Sequence, residues 1–556
     1  MVTQINIRSN TLEITSNLCE GVFYTQMSHT DKSKNTFSVT TPLYYVNALP
    51  HIGSAYTTIA ADAVARFERL RGKSVLLITG TDEHGQKIQR TAESNGLEPQ
   101  AHCDKIAAGF DALWQKLNIQ YDRFSRTTSP RHEAIVKEFF GRVWDKGDIY
   151  LGQQQGWYCV SCEEFKEERD LLEGHRCQIH SNKEAEWRDE QNYFFALSKY
   201  QNQLEALYQE RPDFIQPESR RNEVLSFVSQ GLQDFSISRV NLEWGFPVPV
   251  DPNHTIYVWF DALLGYVTAL LDVESEPTLE NALKKWWPIN LHLIGKDILR
   301  FHAVYWPAML MSAGLPVTEH VFGHGFLTKD GQKMGKSLGN TLDPVELVNR
   351  YGTDAIRYYF LKEIEFGKDG DFSETRFIDI VNADLANDLG NLLNRTLKMV
   401  QKYCDALVPN VTSEDIPIDN PLKAIGVELS DRVAQSYESL AFSEACREIF
   451  TLVRASNKFI DDQAPWSLYK QGNSSAVAQV LYTVLESVRL AAYLLSPIIP
   501  SISTDIYHQL GFSIDFNEKT LIEDSVTYAT HAAWGTLPPH QSLGQPRPVF
   551  ARLEQG

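Results

Sequence analysis

Four groups of residues in this chain have types and spacings that could do chemistry. The first is Pro50-His51-Ile52-Gly53-Ser54, which falls between a strand pattern and a helix pattern. A helix start at such a turn presents backbone N–H groups and the positive end of the helix dipole, both suited to phosphate. Gly53 lets a ligand approach the backbone closely, and His51 can donate a hydrogen bond to a phosphate oxygen. The same residues also make a plain strand-to-helix turn with an incidental histidine. The second group runs from Asp330 to Asn340 and nearly matches the phosphate loop G-x-x-x-x-G-K-[ST]. That reading fails, because Asp330 stands at the first glycine position and residues 338–342 intervene before the next helix. The helix starts at Asp343-Pro344, with Glu346 completing a capping box. What remains is a glycine-flanked loop carrying Lys333 and Lys336, two cations able to clamp a leaving polyphosphate, or otherwise a solvated basic turn.

The third group is Cys159-Val160-Ser161-Cys162, followed after a gap by Cys177-Gln178-Ile179-His180. A C-x2-C hook and a C-x2-H hook each place two ligands on a tight turn, as a tetrahedral zinc site requires. Four protein ligands would close the shell, so Cys159, Cys162, Cys177 and His180 imply a structural ion. The fourth group is dispersed. Gly80-Thr81-Asp82-Glu83-His84-Gly85 ends a buried strand, where an acidic side chain could hold an ammonium group. Trp259, Ala262, Leu263 and Tyr266 lie at or near helical spacing, and Ile298 and His302 share a helix face at i, i+4. Such residues also suit ordinary core packing. Gly323-His324-Gly325 matches half of a dinucleotide fingerprint, but Thr328 replaces its third glycine and the match is set aside.

Stepping from these groups to their supports, Thr36-Phe37-Ser38-Val39-Thr40 alternates like a strand and Val75-Leu76-Leu77-Ile78-Thr79 reads as a buried one. Between them Ala60, Ala63, Val64, Phe67 and Leu70 fall at helical spacing, ended by Gly72. Strand, helix, strand is a βαβ unit and implies a parallel sheet. A second strand group, 256–260, 291–294 and 320–322, follows far downstream, so the α/β domain is split by an insertion. Past residue 375 strand signals fade, and 385–402 and 476–495 suit helices of an all-α domain. The resulting division is a polar tail over 1–36, a first α/β half over 37–129 and an inserted domain with a metal knuckle over 130–230. The second α/β half covers 231–345, a linker subdomain supporting the lysine loop 346–385, a helical domain 386–540 and a C-terminal tail 541–556.

Bulk properties agree. At 556 residues the chain exceeds the ~150-residue prior for one domain several-fold. Its net charge of −19 excludes a general polyanion binder, though not a local basic patch. No run approaches the ~18 apolar residues of a membrane span, so no membrane partner is expected. Seven cysteines are too few, and odd in number, for a disulfide framework. With no signal-peptide pattern at the start, a reducing cytoplasm is the expected location.

Together these segments resemble the class I aminoacyl-tRNA synthetases. The family's His-Ile-Gly-His and Lys-Met-Ser-Lys-Ser signatures correspond to His51-Ile52-Gly53-Ser54 and Lys333-Met334-Gly335-Lys336-Ser337, on either side of an inserted domain. The finer match is to the methionine-specific branch, through residues 41–47, 80–85, 236–239, 257–262 and 294–297 and Ala464-Pro465-Trp466. Two departures stand out. Ser54 replaces the second signature histidine and can donate a hydrogen bond without carrying charge, and Gly335 replaces a serine while both lysines are kept.

The resemblance implies a split nucleotide-binding α/β domain with a zinc knuckle inserted, followed by an all-α anticodon-binding bundle. It implies a ligase in which methionine attacks ATP, accompanied by Mg2+, and the methionyl group then passes to the 3′-terminal adenosine of methionine tRNA, initiator and elongator. His51, Lys333 and Lys336 would be catalytic, and His51, Gly53, Ser54 and Lys336 would bind ATP. Leu43, Tyr45, Trp259, Ala262, Leu263, Tyr266, Ile298 and His302 would line the methionine pocket, with Asp82, helped by Arg239, taking the amino group. Sulfur–ring contacts worth ~0.3–1.5 kcal/mol suit a thioether to such a pocket. Trp466 matches the family's anticodon-stacking tryptophan. Asn391 and Arg395, at i, i+4, are further candidates, and Arg395, Lys398 and Lys402 form either a phosphate-facing patch or a solvated face. Some relatives dimerise through an extra C-terminal domain; its lack here predicts a monomer.

Rival readings explain less. Leucyl, isoleucyl and valyl synthetases need a larger editing insertion, and the cysteinyl enzyme needs an open zinc shell. A small-molecule adenylyltransferase needs no helical anticodon domain, and a non-catalytic zinc-bearing RNA-binding protein leaves His51, Lys333 and Lys336 unexplained. Lys336→Ala is expected to leave methionine affinity intact while depressing ATP–pyrophosphate exchange by at least ~100-fold, the scale of losing one charge-stabilising donor; exchange at the parent rate would remove Lys336 from the reaction.

Overall fold

The structure is a computed structural model, and it describes residues 35–166, 168–178, 183–240, 242–334, 341–519 and 527–554. The expected tail, apart from Asn35 and Thr36, lies outside them. Six parallel strands form the central sheet: β1 (Thr36–Tyr45), β2 (Ser74–Asp82), β3 (Arg123–Arg126), β4 (Ile215–Gln216), β5 (Leu291–Gly295) and β6 (His320–His324), in the spatial order 3-2-1-5-6-4. Register runs from Thr36 opposite Ser74 to Tyr45 opposite Asp82, and from Leu291 opposite His320 to Gly295 opposite His324. Strand order reverses between β1 and β5, so the crevice at their carboxyl ends is where an open α/β sheet binds ligands.

Helix α1 (Ile52–Leu70) follows β1 and is buried on every face. One stripe lies on the sheet, and the opposite side meets the C-terminal helices, as in the Phe67–Tyr437 stack at 4.7 Å. This explains why its apolar residues are not confined to one narrow stripe. A second helix, α2 (Gln86–Ser94), starts just beyond the tip of β2.

Three expectations need correction. Val258-Trp259-Phe260 do not extend a strand: the strand Asp251–Ile256 stops before them, belongs to a separate antiparallel sheet, and gives way to the helix Val258–Ala262. The apolar run was ambiguous between strand and buried helix, and packing of Phe260 against Phe139 and Phe140 settles it as helix. The segment expected to be wholly inserted, 130–230, also supplies β4 to the edge of the main sheet, with Ile215 opposite Val321. Residues 541–554 are not a free tail. Val408 N–H donates to Gln541 O (2.9 Å), Leu553 N–H donates to Asn382 Oδ1 (2.8 Å), and Val549 is buried.

The insertion is built on the long antiparallel pair Ile149–Cys159 and Glu186–Phe195. The segment 346–385 contributes strand Gly370–Phe372, which pairs in parallel with Leu327–Lys329; that strand in turn pairs with Gln332–Lys333 at the root of the lysine loop. Beyond it the chain is mostly helical to Gln509, with one longer connection over 404–420. Helix Ser474–Leu495 is long and apolar enough to cross a membrane, but 89% of its most apolar window is buried inside the protein, so it is a core helix.

One buried ionic network joins these parts. Arg357 and Asp62 are both fully buried; the Arg357 guanidinium donates to Asp62 Oδ2 (2.6 Å), Leu117 O (3.2 Å), Pro497 O (2.9 Å) and Ile498 O (2.8 Å). Arg66 donates to the same carboxylate (2.7 Å) and to Phe516 O (2.7 Å). Nearby Asp354 accepts from Ile502 N–H (2.7 Å), and burial pushes its carboxyl up to about 6 against the pull of that bond and of Arg357 and Arg66. A carboxyl whose folded value lies above its unfolded ~3.9 favours folding most at acid pH, and that contribution is lost as pH rises to about 6. The contribution amounts to ~3 kcal/mol at ~1.4 kcal/mol per tenfold change in proton affinity. Asp354→Asn keeps an oxygen for Ile502, so it is expected to raise the melting midpoint at pH 7.5 more than at pH 4.5; equal shifts at the two pH values would refute the raised value.

Candidate active site at the strand tips

A cavity of about 450 Å³ opens at the carboxyl ends of β1, β2, β5 and β6. Of the residues expected there, Leu43, Tyr45, His51, Gly53, Ser54, Asp82, Trp259 and Ile298 line it. The structure adds Thr57, Glu163, Asp297, Phe301, His324 and Phe326, which sequence reasoning missed.

The phosphate-turn expectation is refined. His51 is the N-cap of α1, and its Nδ1 accepts from Gly53 N–H (3.1 Å) and Ser54 N–H (3.3 Å). Two of the orphan donors of the helix start are thus satisfied by the histidine. Because Nδ1 is the acceptor, the proton of a neutral ring sits on Nε2. One turn further along α1, Thr57 Oγ1 meets His324 Nε2 at 2.6 Å, while His324 Nδ1 lies 2.8 Å from Gly325 O. The carbonyl fixes Nδ1 as donor, so Thr57 donates to Nε2. Burial lowers His324 to about 4 and keeps it neutral.

The opposite end of the cavity is aromatic. Trp259 stacks on Phe301 with centroids 3.8 Å apart and planes 7° from parallel. Phe301 and His302 lie on a single wide helical turn, Phe301–Tyr305. Behind them, Tyr266 O–H donates to His302 Nε2 (2.8 Å) and His302 Nδ1–H donates to Ile298 O (3.1 Å); burial lowers His302 to about 4. Ala262, Leu263, Tyr266 and His302 are buried and form the wall's backing rather than its lining.

Asp82 closes this end at the tip of β2. Burial, then the negative charges of Asp261, Glu163 and Glu83, raise its carboxyl well above the ordinary range, and its buried Oδ1 has no hydrogen-bond partner among the described residues. A buried, unsatisfied acceptor in a cavity is suited to a ligand's N–H donor. Asp261 behaves oppositely: burial works to raise it, but His84 (2.7 Å) and His132 (2.9 Å) hold it at about 2. Arg239 does not reach the lining. It is buried against the Tyr257 ring (4.1 Å) and donates to Ser236 Oγ and Ser238 O, both at 2.7 Å.

Cys159, Cys162 and Cys177 bring their sulfurs within 4.8 Å of one another, with Cys162 and Cys177 at 3.5 Å. Thiolates at ~2.3 Å from a tetrahedral ion would be separated by just under 4 Å, so this donor set fits zinc. His180 lies outside the described residues. So does Lys336; Lys333 is placed only by its backbone, in the short strand Gln332–Lys333. On the helical domain Trp466 is 39% exposed and Asn391 is exposed. Arg395 is held by Asp461 (2.9 Å) and Asn457 O (3.0 Å) on a neighbouring helix. Lys402 lies over Tyr403, which stacks on half-exposed Tyr469 at 4.3 Å.

Comparison with known proteins follows the same outline. The family described as tRNA synthetases class I (M) matches residues 37–177 and 167–397, and the anticodon binding domain of methionyl tRNA ligase matches residues 420–555. The chain is 74% identical over 529 residues to a methionine–tRNA ligase of Nostoc sp., covering 95% of this chain and 99% of that one. It is 54% identical over 525 residues to the chloroplastic/mitochondrial methionine–tRNA ligase of Arabidopsis thaliana, covering 93% and 83% of the two chains. It is also similar to the solved structure of Mycobacterium tuberculosis methionyl-tRNA synthetase in complex with methionyl-adenylate, with a TM-score of 0.86, 42% identity and coverage of 93% of this chain and 100% of the other.

An amino acid whose ammonium seats at Asp82 pairs with the ionised carboxylate, the form that burial and the neighbouring acids disfavour. Binding is therefore expected to release protons, tighten as pH rises toward the carboxyl's raised value, and give a calorimetric heat that scales with buffer ionisation. In Asp82→Asn the buffer dependence should vanish; a buffer-independent heat in the parent would mean that Asp82 is already ionised.

Proposed function

The chain belongs to the methionyl-tRNA synthetases of class I, and we propose that the strand-tip cavity is where it activates methionine with ATP and charges methionine tRNA. The observation that carries this reading is the joining, in one cavity, of an aromatic pocket, a buried unsatisfied carboxylate and a histidine-capped helix start. The thioether packs against Trp259 and Phe301, and the ammonium pairs with Asp82. Leu43, Tyr45 and Ile298 complete the pocket, while Ala262, Leu263, Tyr266 and His302 stiffen it from behind.

One carboxylate oxygen of methionine then attacks the α-phosphorus in line, forming the acyl–phosphate bond as the bond to pyrophosphate breaks. His51 donates from Nε2 to phosphate, Gly53 allows the close approach, and Ser54 adds a neutral donor in place of the usual histidine. Lys336, assisted by Lys333, neutralises the departing pyrophosphate. In the second step a ribose hydroxyl of the terminal adenosine attacks the carbonyl carbon and AMP leaves. Positioning and charge neutralisation carry both steps, with no covalent enzyme intermediate. Mg2+ enters with ATP as part of the substrate. Zinc on Cys159, Cys162, Cys177 and His180 holds the knuckle turn and takes no part in bond making. Trp466 stacks an anticodon base and Asn391 offers its amide to a base edge; Arg395 contributes once its contacts with Asp461 and Asn457 give way.

A panel of amino acids in ATP–pyrophosphate exchange, with zinc measured on the same sample, tests this directly. Exchange is expected with methionine alone and about one zinc per chain; stimulation by another amino acid in preference would overturn the assignment. Trp466→Ala should lower tRNA charging by ~10-fold or more, from base stacking worth ~1–3 kcal/mol, and leave exchange unchanged. Loss of both together would deny it a separate anticodon role.

A further inference from the structure

The residue that follows the second knuckle cysteine does more than close the turn. Glu163 is buried and takes a left-handed backbone conformation (φ 57°). Its Oε1 accepts from Tyr45 O–H (3.1 Å) and from Lys87 N–H (2.7 Å), and its Oε2 accepts from Tyr158 O–H (2.7 Å). The Lys87 amide is one of the orphan donors in the first turn of α2, whose N-cap, Gly85, offers no side chain. A carboxylate from the knuckle supplies the missing cap, at the helix end where negative charge is favoured.

Gly85 itself shows how tightly these parts meet: a Cβ there would lie 2.7 Å from Tyr45 Oη and 3.0 Å from Glu163 Oε1. A second tie runs the other way. Lys87 Nζ donates to Ser161 O within the knuckle turn (3.2 Å) and lies over the Tyr45 ring (5.5 Å). Tyr45 lines the cavity and stands opposite Asp82 in the β1–β2 ladder. The groups that would grip an amino acid are thus fixed from outside the sheet by the metal-binding turn.

We infer that Glu163 is a positioning residue: its carboxylate, carried on the knuckle turn, sets the place of the Tyr45 phenol and the start of α2, and through them the affinity for methionine. The inference rests on the functional reading above. It makes the knuckle part of the amino-acid pocket's frame, with no metal chemistry required.

Calorimetry on the metal-loaded full chain tests it. In Glu163→Ala, with zinc content retained, the methionine Kd is expected to rise about 5- to 10-fold, the net of one lost charge-assisted hydrogen bond and the relief of Asp82 from a neighbouring negative charge, while the ATP Kd stays within about twofold. Glu163→Gln keeps the acceptor for Tyr45 and Lys87 and should restore methionine binding to within about twofold. Tyr45→Phe should raise the methionine Kd similarly, and adding Glu163→Ala to it should change little more. An unchanged methionine Kd in zinc-loaded Glu163→Ala overturns the inference. Should that variant lose its metal or fail to fold, Tyr45→Phe decides, and an unchanged Kd there overturns it equally. A parent protein that does not bind methionine would instead refute the functional reading.

Discussion

The position of α1 depends on a charge cluster that water never reaches. Asp62, Arg66 and Arg357 are nearly or fully buried, and the Arg357 fork reaches α1, the residue after the Pro99–Lys116 helix and the turn after the long C-terminal core helix at once. Burying such charges costs several kcal/mol per ion, repaid only when nearly every lone pair and N–H is used. Here Asp62 Oδ1 takes Gln120 N–H (2.8 Å), Oδ2 takes two guanidinium donors, and backbone carbonyls take most of the rest. Removing one partner from such a cluster typically costs ~3–5 kcal/mol. Because α1 begins at His51, the same cluster that joins sheet to helical bundle also fixes where the candidate phosphate turn points.

Around that anchor the cavity is assembled from strand tips rather than from any one segment. Tyr45, Asp82, Gly295 and His324 end four different strands, and the sheet's register brings them together. The inserted domain reaches the same place from outside through Glu163, and the helix Val258–Ala262 brings in Trp259. Polar groups on the deep side are locked in chains, Tyr266 to His302 to Ile298 and His84 to Asp261 to His132. Among the described residues Asp82 Oδ1 and Tyr56 Oη, both at the cavity, lack a hydrogen-bond partner, and Asp82 Oδ1 is the acceptor that a ligand's N–H can complete.

Much of this was legible in the chain itself. The βαβ pattern over residues 36–79, the helical C-terminal region, the cysteine hooks and the cavity positions of His51, Asp82 and Trp259 all follow from spacing and from the resemblance those motifs carry. What the sequence hid depended on tertiary contact. The run 256–260 is apolar enough for strand or buried helix, and only its neighbours Phe139 and Phe140 distinguish them. A two-residue strand such as Ile215–Gln216 has no period to detect. Glu163 carried a faint signal, an acid directly after a C-x2-C hook, and Phe301 sat unremarked between Ile298 and His302. His324 was visible but belonged to a fingerprint that failed. Arg239, expected beside Asp82, turns instead to an aromatic ring, a direction that no sequence pattern encodes.

The self-capping of α1 by His51 has one more consequence. The amides of Gly53 and Ser54 are bonded to the imidazole Nδ1 of His51, so a phosphate oxygen that seats on them exchanges places with that ring. A ligand that takes those two amides thereby releases the ring nitrogen that held them, and the same histidine becomes available to the charge that displaced it.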